Sequence, residues 1–355
     1  MGGRAQAGGY GPGMWRRVDT LAEQAPTVRA LRFHRLELIE ARRRRAAGLP
    51  PLSELRNDVA AAALLDLAVP TVLTRAREAY DGRLLLMKGP EIALGYPEAG
   101  LRPFRDLDIL ADNPGAAQAA LLAAGFEEYG DPAIYAGIHH LRPLRWGGLP
   151  LLIELHSQPK WPAGVPGPPP ETLFEAAVGS EVGIGGVETL PPAQHAVVMA
   201  AHAWAHEPLA RLGHLVDIAA ALERAEPGEA AALARDWGCA RMWRCTEAAI
   251  AAVLYGERRR AAIAIWARQL PSARERTVLG LHLQRWLAPA WGLPRRRVPR
   301  GVLAAARDDL RVDGDRRWRT RLVRTRLAVA QAAAPRSEHE LALERRGYRA
   351  AGRRR

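Results

Sequence analysis

Cysteine is almost missing from this 355-residue chain: the two present, Cys239 and Cys245, lie close together in a helical-looking stretch and match no metal-ligand spacing. That argues against a disulfide framework and a structural zinc site, and it fits a reduced, cytoplasmic protein. No apolar run approaches the ~18 residues of a membrane-spanning helix, so no span is expected. The N-terminal stretch also lacks the apolar core of a secretory signal. Residues 1–14 read as a flexible leader, with Met14 a second candidate start. Lysine is equally scarce. Lys88 and Lys160 are the only two among 51 basic residues, so the net charge of +13 is carried by arginine. No internal repeat is visible, which sets aside solenoids and propellers.

What is present is a chain long enough for two or three domains. Its hydrophobic fraction of 48% is that of a folded protein. Residues 15–80 carry helical periodicity through Leu31, Leu36, Leu38, Leu64, Leu65, Leu67, Val72 and Leu73, interrupted at Gly48-Leu49-Pro50-Pro51. The pattern changes at the turn Asp81-Gly82. Leu84–Met87 and Leu107–Ala111 then predict buried strands. Gly115–Ala124 predicts a helix closed by Gly125, and His139–Trp146 and Leu151–His156 predict two strands joined at Gly147-Gly148. This order predicts an α+β core with a small mixed sheet over residues 81–190, left through a proline-rich connector. A helical domain over 191–290 and a basic, arginine-rich tail over 291–355 complete the expected layout.

The chemistry gathers in the middle of the chain. Asp106 and Asp108 are spaced i, i+2, so on a strand both carboxylates point to one face. Two carboxylates so close repel unless a cation sits between them, and hard oxygen donors suit Mg²⁺ completed by substrate phosphates. Glu154, in the run Leu151-Leu152-Ile153-Glu154-Leu155-His156, supplies a third acid on a neighbouring strand. Three carboxylates and two metal ions form the usual clamp for phosphoryl and nucleotidyl transfer. Lys88-Gly89, at the end of the first strand, places a lysine and backbone amides where phosphate can be met. The competing reading of Lys88 is an ion pair with one of the aspartates. Arg102 and Arg105 are candidate bidentate phosphate ligands, with one of them pairing an acid in the core as the alternative.

These residues resemble a known family. Leu86-Met87-Lys88-Gly89, Gly95-Tyr96-Pro97, Leu101-Arg102-Pro103, Arg105-Asp106-Leu107-Asp108-Ile109-Leu110 and Ala124-Gly125-Phe126 are similar to the bacterial uncharacterised nucleotidyltransferase family of the DNA polymerase β-like superfamily. Ile153-Glu154-Leu155-His156, His202 and His214-Leu215-Val216-Asp217 also fit its pattern, so the resemblance spans roughly residues 60–225. It implies a small mixed sheet, metal-dependent transfer of NMP from an NTP, and a helical domain closing the cleft. Gly89-Pro90 stands where superfamily members usually carry Gly-Ser, and the Gly89 to Asp106 spacing is longer than in the best-known members.

Together these features predict a Mg²⁺-dependent nucleotidyltransferase (two ions, Mn²⁺ the alternative) with NTP as donor substrate. Asp106, Asp108 and Glu154 are its expected catalytic and metal residues; Lys88, Gly89, Arg102 and Arg105 are its expected nucleotide ligands. The acceptor is a small molecule, a peptide or a protein. Two alternatives are an RNA-modifying or toxin-like transferase gripping nucleic acid through the tail, and a silent nucleotide-binding scaffold. His195, His202 and His206 share a helix face and read as interface residues rather than a zinc pair, since no Glu sits between them as in hydrolytic zinc motifs. Asp217 reads as a buried hydrogen-bond partner. In the tail, Trp318, Leu322 and Val329 share one side of a very basic helix suited to nucleic acid, an anionic surface or an acidic partner.

Overall fold

The computed structural model describes residues 13–132, 140–162, 164–257, 267–287, 295–310 and 325–339. Most of the arginine-rich tail, including Trp318 and Leu322, lies outside the described residues, as do residues 1–12. The N-terminal half carries helices α1 (Gly13–Glu23), α2 (Val28–His34), α3 (Glu37–Ala46) and α4 (Arg56–Ala79). Next come β1 (Leu84–Leu86), the single turn α5 (Pro90–Ala93), β2 (Asp106–Ala111), α6 (Pro114–Ala123) and β3 (Phe126–Glu128). The strands β4 (Leu144–Trp146) and β5 (Leu152–His156) precede α7 (Pro170–Glu175), β6 (Val178–Gly179) and β7 (Val187–Thr189). Helices α8 (Pro192–His206), α9 (Leu212–Leu222), α10 (Glu229–Asp236) and α11 (Ala240–Leu254) follow, then α12 (Val278–Leu287) and α13 (Val298–Leu310).

The seven strands form one mixed sheet in the order β3-β4-β5-β2-β1-β7-β6. β2 runs antiparallel to β1 and parallel to β5, and β1 runs parallel to β7. The expected α+β architecture is therefore present, with three short strands (β3, β6 and β7) that periodicity does not reveal. A strand of two or three residues shows no alternation to read. The Gly147-Gly148 turn has φ of 57° and 73°, the doubly left-handed geometry that glycine supplies between antiparallel strands.

Side-chain alternation divides the molecule into two cores. Leu84, Leu86, Leu107, Ile109, Ala111, Ile153 and Leu155 face α4 and α6, where Leu65, Val69, Val72, Leu73, Ala117 and Leu121 cover them. Leu85, Met87 and Leu110 face the other way and join a larger core built by α1 to α3, α8, α9 and α11. The N-terminal helices thus serve both sides of the sheet: α4 belongs to one core, and α1 to α3 belong to the other. α6 starts on Asn113, whose side chain accepts from the Ala116 N–H at 3.1 Å, and it ends before Gly125, at φ 93°. α4 with its preceding turn, Ser53–Ala79, is long and apolar enough by length and composition to cross a membrane, with mean hydropathy 1.5. In the fold one face of it walls the sheet, while Leu64 and Leu67 on another face stay exposed.

Candidate metal and nucleotide site

The site forms on the sheet face that looks toward α8 and α9. β2 places Asp106 and Asp108 on that face because they are two residues apart. The parallel register sets Asp108 opposite Glu154 and Leu110 opposite His156 on β5. Donor atoms of Asp108, Glu154 and His156 lie within 4.8 Å of one another, a set able to hold a metal ion. Asp106 shares the face, half-buried. His156 continues the i, i+2 alternation from Glu154, so the same strand rule that selects the acids also selects this imidazole.

Charge is concentrated here in little space. Burial first, then repulsion from Asp106 and Asp108, pushes the Glu154 carboxyl up to about 8. Burial and Asp108 likewise raise Asp106, against the opposing cations Lys88, Arg35 and Arg102. For Asp108 burial also pushes upward, but Lys88, His156 and His202 outweigh it and hold the carboxyl well below the usual range. With both ionised, two carboxylates at this separation repel by roughly 3 kcal/mol at an effective dielectric constant near 20. A divalent cation offsets that repulsion, so carboxylates with an adjacent imidazole fit a metal ion in their chemistry.

Lys88 is buried and donates to Asp108 Oδ1 at 2.6 Å and to His202 Nδ1 at 3.1 Å. It is an ion-pair partner of the second aspartate, the alternative weighed for it from the sequence. The neighbouring Gly89, at φ 75°, turns the chain from β1 into α5, and a Cβ there would lie 3.4 Å from Leu107 Cδ2. Arg102 is bound within the protein, the core pairing weighed as its alternative. Its Nε and Nη2 donate to Asp217 at 2.8 and 3.0 Å, and its Nη1 donates to the Gly89 carbonyl at 3.2 Å. Tyr96 adds a third donor to Asp217 at 2.7 Å. Arg102 therefore anchors the Lys88-Gly89 turn to α9, and Asp217 is its buried partner. Arg105 is exposed; its carbonyl accepts from Leu152 N at 3.3 Å and extends the β2–β5 ladder.

Sequence reasoning assigns no role to His140 or Lys160 and no ligand role to His156, yet all three join this cluster. His156 Nε2 lies 3.1 Å from Asp108 Oδ1, and His140 Nε2 lies 3.7 Å from Glu154 Oε2. Across the cleft, α8 brings His202 onto Lys88, and His206 is within 3.0 Å of Lys160 Nζ. The helix face shared by His195, His202 and His206 does not form a metal group among the described residues. His195 turns instead to the Met87 carbonyl at the end of β1. A separate crevice lined by Glu91, Gly95, His195 and Arg224 shares no residue with the acid cluster.

A mixed sheet whose parallel central pair presents clustered acids to a helical layer has the α+β fold of a nucleotidyltransferase. The chain belongs to the uncharacterised nucleotidyltransferase family, whose model matches residues 20–255. That match reaches beyond the motif-bearing stretch on both sides, into α1 and to the end of α11. No curated protein and no solved structure matches the chain. Membership supports nucleotidyl transfer as the general activity, and the Asp108–Glu154–His156 group offers donors for a metal ion.

Proposed function

We propose that this protein transfers a nucleoside monophosphate from an NTP to a hydroxyl of a small molecule, a peptide or a protein, using Mg²⁺ held by Asp106, Asp108 and Glu154. The observation that carries the reading is the register that sets Asp108 beside Glu154 on parallel strands with Asp106 on the same face. When bound, the metal neutralises the triphosphate and lowers the proton affinity of the attacking hydroxyl. The acceptor oxygen bonds to the α-phosphorus as the bond to the bridging oxygen breaks, and pyrophosphate leaves.

The protein's own groups set the stage for that displacement. The Glu154 side chain is partly exposed; when it does not coordinate the metal, its raised proton affinity would make it a stronger base than an ordinary carboxylate for the acceptor's proton. Lys88 and His156 fix the Asp108 carboxylate from two sides, and Arg102 with Asp217 fixes the turn that carries Lys88. A site held this way loses little entropy when substrate arrives.

Calorimetry with Mg²⁺ and each NTP, followed by incubation with labelled NTP and cell extract, tests the reading. Wild-type protein is expected to bind Mg–NTP and to label an acceptor. Asp106→Asn and Asp108→Asn are expected to weaken binding at least tenfold and cut labelling by about 10³, the loss typical of removed charge stabilisation in a transition state. Equal binding and labelling by wild type and both variants would refute it.

A further inference from the structure

Phosphate needs cations that no protein acid has claimed, and the phosphate ligands expected from sequence are largely committed elsewhere. Lys88 belongs to Asp108 and Arg102 to Asp217. Two further cations on this side of the fold, Arg35 and Lys160, make no ion pair with an acid among the described residues. Arg35 ends α2 and is half-buried; among the described residues its guanidinium makes no hydrogen bond and no ion pair. Lys160 has a neutral imidazole for its neighbour, His206, where a carboxylate would be ordinary. Lys88 and Lys160, the only lysines of the chain, thus both lie at this one cleft.

The backbone at Arg35 indicates that its position is enforced. Arg35 stands at φ 58°, ψ 42°, left-handed, capping α2 with its N–H on the Arg32 and Leu31 carbonyls. Glycine is the residue of least cost in that position. A residue in such sparsely populated backbone geometry persists only where the surrounding structure over-determines it. The surroundings are shaped to hold it. A Cβ on Gly213 would come within 2.7 Å of Arg35 Cβ and 2.9 Å of the His34 carbonyl, so the first turn of α9 carries a glycine where this turn docks. His34 locks the turn further, because Leu212 N–H donates to its Nδ1 at 3.2 Å. The Arg35 charge therefore sits at the start of α9, next to His214. After burial, it is the largest charge depressing the His214 imidazole; it acts on His206 and Asp106 as well.

We propose that Arg35, docked on the first turn of α9, and Lys160, set against His206 of α8, form a binding site for phosphate groups across the cleft from the carboxylates. The site rests on the nucleotidyltransferase reading for its place in the reaction. Its ligand is the triphosphate tail of the NTP or a phosphate borne by the acceptor. Arg35 presents a planar fork to two phosphate oxygens and Lys160 a point charge. His206, exposed at the cleft and held below its ordinary range by partial desolvation and by Lys160 and Lys88, leaves Lys160 free to exchange an imidazole for an anion.

Metal-free binding of inorganic tripolyphosphate is the direct probe, compared for wild type, Arg35→Gly and Lys160→Gln. Arg35→Gly relieves the left-handed backbone, so its Tm is expected to equal or exceed that of wild type while tripolyphosphate affinity falls at least tenfold. A purely structural arginine would give the opposite pattern, a lower Tm with affinity unchanged, and that result overturns the proposal, as does affinity unchanged in both variants. Competition separates the two sources. If tripolyphosphate is displaced by NTP and not by NMP, the site holds the triphosphate tail. If tripolyphosphate and NTP bind together, with the Arg35 dependence retained, the site holds a phosphorylated acceptor. Asp106→Asn with Asp108→Asn keeps the two ideas apart. Tripolyphosphate affinity that is the same in wild type, Arg35→Gly and Lys160→Gln sinks the phosphate site alone. Mg–NTP binding indifferent to the paired acids sinks the nucleotidyltransferase reading alone.

Discussion

Glu154 sits in an environment that strongly disfavours its anion while its side chain stays partly open to solvent. Its folded carboxyl titrates at about 8, against an ordinary value of 4.5, because burial and two aspartates disfavour the anion. A group with a raised acidic pKa binds more protons folded than unfolded, so it weakens the fold as pH rises from about 4.5 and does so fully above about 8. Glu154→Gln removes that penalty. In metal-free protein the variant is expected to be more stable than wild type at pH 9, on the order of 3 kcal/mol, with little difference at pH 4. Thermal unfolding at the two pH values checks this, and a loss of stability at pH 9 would contradict it. Metal affinity should fall in the same variant, the trade of stability for function common at such sites. At this scale the acids were legible in the sequence, because alternation along a strand is local. The pairing of Arg102 with Asp217 was not, since 115 positions separate the partners and nothing local distinguishes a core arginine from a ligand arginine.

At the scale of elements, the cleft is built by how closely α9 approaches the α2–α3 turn. Gly213 permits the contact, and Gly95 permits another, where a Cβ would stand 3.1 Å from the Ala220 Cβ. Gly213→Ala puts a methyl group against the backbone of His34 and the Cβ of Arg35, neither of which is a flexible side-chain end. It is expected to destabilise the protein by about 1–3 kcal/mol, the usual range for overpacking, as measured by chemical denaturation. It should also weaken nucleotide binding, because the displaced turn carries Arg35. A variant with wild-type stability would show that the two elements are less tightly docked than the geometry indicates. β2, β5 and α6 were readable in the sequence through alternation and a terminal glycine. The division of α1 to α3 from α4 was not, since all four helices carry the same periodicity and only packing assigns each to a core.

Across the whole molecule, buried neutral histidines set the response to acid. Burial lowers His34 and His195 to about 4 and, with Lys160 and Lys88, His206 to about 3. His202 and His214 are held lower than ordinary for the same first reason. The unfolded chain takes up these protons near 6.5 and the folded chain does not, so stability falls as pH drops through 6.5 toward 4. Glu37, raised by burial to about 7, and Glu154 act in the opposite direction between about 4.5 and 8. The buried His34, His195 and His214, with the half-buried His202, outweigh the two glutamates, whose opposing gain is complete by about 4.5, and the exposed His206 adds little. Denaturation at pH 7 and pH 4 is expected to show a loss on the order of 5 kcal/mol; equal stabilities would mean the histidines are not buried as neutral rings. The sequence by itself determined the α+β class, the strand bearing Asp106 and Asp108, and the family, because periodicity, turn residues and motif spacing are properties of neighbours along the chain. Only the tertiary structure decided that His156 joins the acids, that Lys88 and Arg102 are claimed by Asp108 and Asp217, and that Arg35 and Lys160 are left facing the cleft. Those outcomes depend on which charge reaches which across the fold, and burial makes each such pairing strong enough to settle a residue's role.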